Sequence, residues 1–388
     1  MYTKKHKILI VCGFFPYPPM HGGMIDVWKR IEEIKSLGHT IDLVYTTKEK
    51  PIETQLNFVK KYVKNLFETS RKNRLIDIFN KLPIQVTSRR ELQYISVNNT
   101  YDFVILEGDY VGKILENSSV IYRQLIIRSH NDEAWYFRNL CQSTRNFLKK
   151  SYYWIEFLKF KSYSKTLYSK ANKVWYISKN EAFRSKLIGQ KIVYMPPPFS
   201  LKEFKKQDLT SKNVLFIGSL FMDNNMEGIL WYIKNVHYQI KSHEKNYKLI
   251  IVGNSGSRDK RKIKKRFKGH TDIEIHFNVS SLEVFYRKSS VFINPMFHGA
   301  GVKIKSVQAV INGLPLVSTS KGVEGIGFEK NKDFLQADTS RTFIFKILKL
   351  FKEKNKGQEM VENAQQFLKA HHFSKKLIHE LNGLKKNI

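Results

Sequence analysis

Residues 294–325 read NPMFHGAGVKIKSVQAVINGLPLVSTSKGVEG, and the reading of this stretch decides the fold. It opens at the end of an apolar run (VFIN, 291–294) and passes a loop of small residues, Gly299, Ala300 and Gly301. A helical pattern follows from Val302, and a second apolar run stands at 316–318. Strand, tight loop, helix, strand is the repeating unit of a parallel α/β sheet. A loop without bulky side chains leaves the backbone N–H groups at the helix start able to cradle an anion, aided by the helix dipole. Lys303 and Lys305 fall in the first turn, where positive charge opposes the dipole, and a bound phosphate is the natural compensation. A plain strand–glycine–helix turn with solvated lysines is the ordinary alternative, and the pattern alone does not separate the two.

The same rhythm extends in both directions. Upstream, 214–217 is a strand running into Gly218, followed by a helix through Ile229 and Ile233. A strand at 249–252 ends at Gly253, another spans 273–277, and a short helix lies near 282–286. In the first half, KILIVC (7–12) is a buried-strand run that stops at GFFPYPPMHGG. A helix with Ile25, Trp28, Ile31 and Ile34 on one face closes at Gly38, and a strand occupies 40–46. Residues 51–98 are basic and mixed and read as helices and loops. Short strands at 103–106 and 125–128, a long helix over 145–172 and a strand at 174–177 complete this half. MPPP at 195–198 breaks every regular pattern and opens a charged, apolar-poor stretch to Ser211, the best linker in the chain. The expected architecture is α/β: two Rossmann-like doubly wound domains, 1–195 and 196–372, facing each other across a ligand cleft.

Composition sets the remaining bounds. The chain has 388 residues, of which 42% are hydrophobic and 13% aromatic, enough for full cores and against disorder. Its two cysteines, Cys12 and Cys141, fit neither a disulfide framework nor a metal cluster. The apolar run 8–12 is too short for an export signal, and no stretch reaches the roughly 18 apolar residues of a membrane span, which points to the cytoplasm. Net charge is the outlier: 67 Lys and Arg against 34 Asp and Glu give +33. In residues 1–200 there are 33 basic and 17 acidic side chains, so the excess of +16 there is matched by +17 beyond. Such a field favours polyanions, including anionic lipid and phosphorylated substrates, although an Ile-, Asn- and Lys-rich composition is also what an AT-rich genome produces. A nucleic-acid role is not expected, because KRKIKKRFK (260–268) reads as a solvated helix face with no aromatic array beside it.

The 294–325 segment resembles the donor-binding signature of family 4 retaining glycosyltransferases of the GT-B fold, the kind that builds bacterial surface polysaccharides. Gly301, Lys303, Lys305, Gln308–Ala309, Gly313–Val317 and Gly322–Gly325 match it in order and spacing. FFPYPPMHGG is similar to the family's proline-rich loop ending in Gly22 and Gly23, which approaches the donor diphosphate. His130, Asn131 and Glu133 resemble its His-Asn-x-Glu stretch, and Phe216–Ser219 its Phe-x-Gly-Ser strand end. Phe373–Ser374 looks like the closing segment, so residues 373–388 are expected to cross back onto the first domain. Two positions depart from the family pattern: Ala300 and Gln308 stand where glutamates are usual.

The resemblance implies a transferase that moves a sugar from a UDP- or GDP-linked donor with no further cofactor and no metal. His130, Lys303 and Lys305 would be catalytic. Gly22, Gly23, Gly218, Ser219, Val279, His298, Gly299, Ala300, Gly301, Val302 and Gln308 would bind the donor, and His21, Asn131 and Glu133 would line the acceptor side. The acceptor would be a glycan or a polyprenyl-diphosphate-linked sugar, handled at the inner face of the plasma membrane. Gln308 also leaves room for a non-catalytic GT-B partner of an active transferase. Among single residues, Asp132 is read equally as a helix cap, Trp135, Tyr136 and Phe137 as core, and the aromatic–lysine helix 145–172 either as packed on the sheet or as membrane-interfacial.

Overall fold

The computed structural model describes residues 5–19, 22–144, 146–185, 191–199, 205–256, 260–267, 272–299, 301–371 and 373–382. The chain forms two compact units: Met1–Pro198 with Phe373–Ile388, and Phe199–His372.

Unit 1 is built on a seven-stranded, all-parallel sheet in the order β3-β2-β1-β4-β5-β6-β7. Its strands are β1 (Lys7–Cys12), β2 (Thr40–Thr47), β3 (Asn65–Ser70), β4 (Asn99–Glu107), β5 (Val120–Ser129), β6 (Lys173–Tyr176) and β7 (Ile192–Tyr194). Ile8, Leu9, Ile10 and Val11 are wholly buried because helices cover both faces of a parallel sheet, and each side chain contributes about 1.5–3 kcal/mol. The helix Gly22–Ser36 buries Met24, Val27, Trp28, Ile31 and Ile34, with Ile25 only half-buried. β3 lies where the sequence read helices and loops. It is an edge strand whose six residues include one buried side chain, so no apolar run betrays it. Trp135, expected in the core with Phe137, is instead 37% exposed, its ring under the Arg138 guanidinium at 5.0 Å.

The last helix, Phe373–Asn382, belongs to unit 1. Phe373, Leu377 and Leu381 enter its core, Lys376 Nζ donates to Tyr194 O at 2.9 Å, and Lys173 pairs with Glu380 at 2.8 Å.

Unit 2 repeats the plan with six parallel strands in the order β10-β9-β8-β11-β12-β13. They are β8 (Asn213–Ile217), β9 (Lys248–Gly253), β10 (Ile273–Phe277), β11 (Val291–Asn294), β12 (Leu316–Ser318) and β13 (Leu335–Gln336). In both sheets the strand order reverses beside the first strand, between β1 and β4 and between β8 and β11. Loops leaving the carboxyl ends of those pairs diverge and open a crevice there. Both groups of polar residues described next sit at these two points.

Candidate active site

In unit 2 the crevice is framed by the end of β8, the helix Asp223–Tyr232 and the loop after β11. Gly228 lets that helix lie against the loop, since a Cβ there would stand 2.4 Å from Pro295 O. The loop then turns through Gly299 and Gly301 at φ +128° and +71°, conformations that L side chains rarely adopt. A net of buried hydrogen bonds fixes its base. Asn294 Nδ2 donates to Ser306 Oγ and to Gly322 O, both at 2.9 Å, Ser306 Oγ donates to Gly322 O at 2.7 Å, and Thr319 Oγ1 donates to Met296 O. Each such bond is worth about 0.5–1.5 kcal/mol net.

The helix that follows spans Ile304–Ile311, two residues later than the sequence pattern suggested, so Lys303 is its N-cap and Lys305 its second residue. Neither side chain is simply solvated. Lys303 is 7% exposed, with Nζ donating to Gly301 O. Lys305 Nζ donates to Asn225 Oδ1 at 2.7 Å and lies 4.6 Å from the Phe216 ring centroid. Burial, then the neighbouring Lys303, pushes the Lys305 ammonium down to about 7. Asn225 is itself aimed by Nδ2 donating to Ser219 O at 3.1 Å, and Gly218 N donates to Val252 O at 3.0 Å. Two ammonium groups side by side at a helix start, behind a glycine loop, form a pocket that an anion would complete.

Gln308 lies one turn further along that helix, half-buried, and its side chain makes no hydrogen bond among the described residues. Val279 and Val302 both pack on the unit 2 core, and His298 is exposed beside Gly299. Ala300 and His21 lie outside the described residues.

In unit 1, His130 follows β5 and meets a buried ionic cluster that the sequence reading missed. Arg30 grips Glu107 with two bonds of 2.7 and 2.9 Å and also donates to Asp26. Arg128 binds both oxygens of Asp26 at 2.8 and 3.1 Å and donates to Met195 O. His130 Nε2 stands 3.0 Å from Glu107 Oε2, and Nδ1 3.5 Å from Asp26 Oδ2. Burial alone would raise both carboxyl groups, but the guanidinium groups hold Asp26 and Glu107 below the usual carboxylate range. Asp26, Glu107 and His130 bring three ligand atoms within 4.8 Å of one another. Their carboxylate oxygens are committed to guanidinium groups, however, and two fixed cations already balance the two acids. The cluster orients His130 and is ill-suited to a divalent ion. Its signal in the sequence was a charge ending each apolar strand run (FVILE, LIIRS) and an i, i+4 Asp–Arg pair on the buried face of a helix.

Asp132 caps the helix Glu133–Ser143, its Oδ1 accepting from Trp135 N at 2.9 Å. Burial, with the Asp109 carboxyl next, pushes Glu133 up to about 8, and burial pushes Asp109 up to about 6. Arg89 donates to Gly13 O at 3.0 Å, stacks 4.6 Å from Tyr110, and is itself lowered to about 9 by burial and Arg71. Glu133 has Asn131 as a hydrogen-bond partner, and its carboxyl holds a proton more readily than a free glutamate. Gly22 and Gly23 form the first turn of the helix Gly22–Ser36 that carries Asp26 and Arg30.

Residues 211–353, which contain the whole unit 2 crevice, match the family described as Glycosyl transferases group 1. An uncharacterized 44.6 kDa protein in the cps region of Klebsiella pneumoniae is 34% identical over 382 residues, covering 96% of this chain and 97% of that one. The chain belongs to the group 1 glycosyltransferases. Solved structures agree on the fold at low identity, and the fold is GT-B. A TarM variant of S. aureus, in complex with fondaparinux, alpha-GlcNAc-glycerol and UDP, is 11% identical with a TM-score of 0.69, over 97% of this chain and 98% of that one. Sucrose-phosphate synthase of Thermosynechococcus elongatus is 14% identical with a TM-score of 0.69, again over 97% and 98%. Anabaena HepE in complex with UDP-glucose is 10% identical with a TM-score of 0.63, over 97% and 98%. For this glycosyltransferase, no helix among the described residues is long and apolar enough to cross a membrane.

Proposed function

We propose that the protein transfers a sugar, with retention of anomeric configuration, from a nucleotide-sugar donor to a glycan or polyprenyl-diphosphate-linked acceptor in cell-surface polysaccharide biosynthesis. The observation that carries this reading is the half-buried Lys305 ammonium, paired with buried Lys303, behind the Gly299–Gly301 loop at a helix start. Departure of a nucleoside diphosphate develops negative charge, and preorganised cations and N–H groups stabilise it. Lys303, Lys305 and the helix start take the diphosphate, Gln308 offers its amide to the ribose, and Gly218, Ser219 and Val302 shape the pocket. Charge neutralisation falls to these groups, so no metal is assigned a role. In unit 1, His130 contacts substrate in the orientation set by Glu107, and Asn131 with Glu133 serves the acceptor side. The UDP and UDP-glucose bound to TarM and HepE favour a uridine donor, and the cps-region relative favours polysaccharide.

The test is thermal unfolding against UDP- and GDP-sugars for the native protein and for Gln308→Glu. A donor at 100 times its dissociation constant should stabilise by about 2.7 kcal/mol. Gln308→Glu should bind equally or more tightly, because a charged acceptor is worth about 1–2 kcal/mol more than the amide. If millimolar nucleotide sugar moves neither form, the assignment of the unit 2 crevice to a donor fails.

A further inference from the structure

We propose that the outer face of the helix Phe147–Lys170, with the neighbouring turn Leu75–Phe79, docks the protein on an anionic lipid bilayer. The helix has two unlike faces. Glu156, Phe160 and Leu167 point inward, with Phe160 stacked on Phe137 at 5.4 Å. On the opposite face, at spacings of seven and four, Phe147, Trp154 and Leu158 are 77%, 47% and 48% exposed, and Leu148 beside them is 78% exposed. Four large apolar side chains left in water on one side of a helix, with Lys150 and Ser151 between them, are costly and unlike singly scattered surface hydrophobics. The same face then continues as Lys161 and Lys165, both exposed.

The turn joins this surface from the side. Lys159 Nζ donates to Ile78 O at 2.7 Å, and Ile84 N donates to Glu156 Oε2 at 3.0 Å, which pins the turn segment against the helix. Beyond these anchors, Ile76 and Phe79 are 72% and 87% exposed.

Charge identifies the occupant. Residues 71–81 and 146–170 together hold ten basic side chains and two acids, Asp77 and Glu156. Both acids are buried and engaged inward, Asp77 by Arg90 and Glu156 by the Ile84 amide and Lys159. The two segments therefore expose apolar groups, cations and a few neutral polar side chains, and no acid among the described residues. A protein partner would need a matching acidic–apolar patch, whereas an anionic bilayer supplies acyl chains for Phe, Leu and Trp and head groups for lysine. This docking stands apart from the transfer chemistry, since it is read without a sugar donor.

The experiment is co-sedimentation of the full chain with phosphatidylcholine vesicles, with and without phosphatidylglycerol. Binding should require the anionic lipid and fall steeply with salt. Trp154→Ser/Leu158→Ser and Lys161→Glu/Lys165→Glu should each weaken partitioning roughly tenfold or more, with unfolding temperature held. A protein that stays in the supernatant at low salt overturns the proposal. So does native-level binding by both folded variants, which would place the contact elsewhere on the basic surface. Self-association in sedimentation velocity that these variants abolish, without vesicle binding, would assign the face to a second copy of the chain and equally overturn it.

Discussion

Arg30→Met should cost unit 1 about 3–5 kcal/mol, the usual penalty for stripping one partner from a buried ion pair. For a unit of this size that is a fall in unfolding temperature of about 6–20 °C. The reason is the company Arg30 keeps. It is wholly buried, as are Asp26 and Glu107, and it supplies both bonds that Glu107 accepts from a guanidinium. Asp26 retains Arg128 when Arg30 is removed, but Glu107 keeps only His130. In the native protein the folded-state pKa of Glu107 is depressed, so its contribution is present at neutral pH and is lost as pH falls below the usual carboxylate range. In the variant, burial without Arg30 reverses the shift, and the deficit should shrink on acidification as Glu107 takes a proton. Arg30→Met/Glu107→Gln should recover much of the loss by removing the stranded charge. A variant that unfolds at the native temperature at every pH would mean the cluster does not hold this unit together.

The contrast between that cluster and the strands around it explains what a sequence can disclose. β1, β4, β5, β8, β9 and β11 are doubly covered, so each contains a contiguous apolar run that needs no partner to be recognised. β3 and β13 are edge strands of six and two residues, and they borrow their conformation from β2 and β12. The Gly299–Lys305 segment was legible because glycine and lysine are chemically unusual at a helix start. Asn225, which receives Lys305, was not: it lies 80 residues away and nothing local marks it. The same holds for Arg128 and Asp26, 102 residues apart, whose pairing exists only once β5 and the first helix share a crevice. The aromatic–lysine helix divides along its own length of surface, with Phe160 packed and Phe147 and Trp154 exposed, so the packing reading holds for one face of it alone. A face-by-face count would have separated the two faces, since Phe147, Trp154 and Leu158 recur at spacings of seven and four.

Lys305→Met should lower donor affinity by at least about tenfold, the equivalent of one charged contact worth 1.4 kcal/mol. It should also abolish a proton taken up on binding. The empty pocket lowers the ammonium to about 7, chiefly by burial and then by Lys303. A diphosphate placed against it supplies the opposite charge and restores the pKa toward the usual lysine value. Between about pH 7 and 10, therefore, the nucleotide should arrive together with a proton, and its affinity should fall as pH rises across that window. Titration calorimetry with UDP at pH 8, in two buffers of different ionisation enthalpy, reads the uptake directly. The native protein should approach one proton, and Lys305→Met none. Stability gives an independent sign. Because the folded-state pKa is depressed, the unfolded chain binds more protons between about 7 and 10.4, so the stability of the empty native protein should rise with pH over that range. Lys305→Met removes the half-buried ammonium, so it should flatten that slope and be the more stable protein at pH 7 while being the poorer binder. A residue that only packed the loop would lose stability and affinity together. Equal proton uptake in both forms, or a variant less stable at pH 7, would remove Lys305 from the diphosphate.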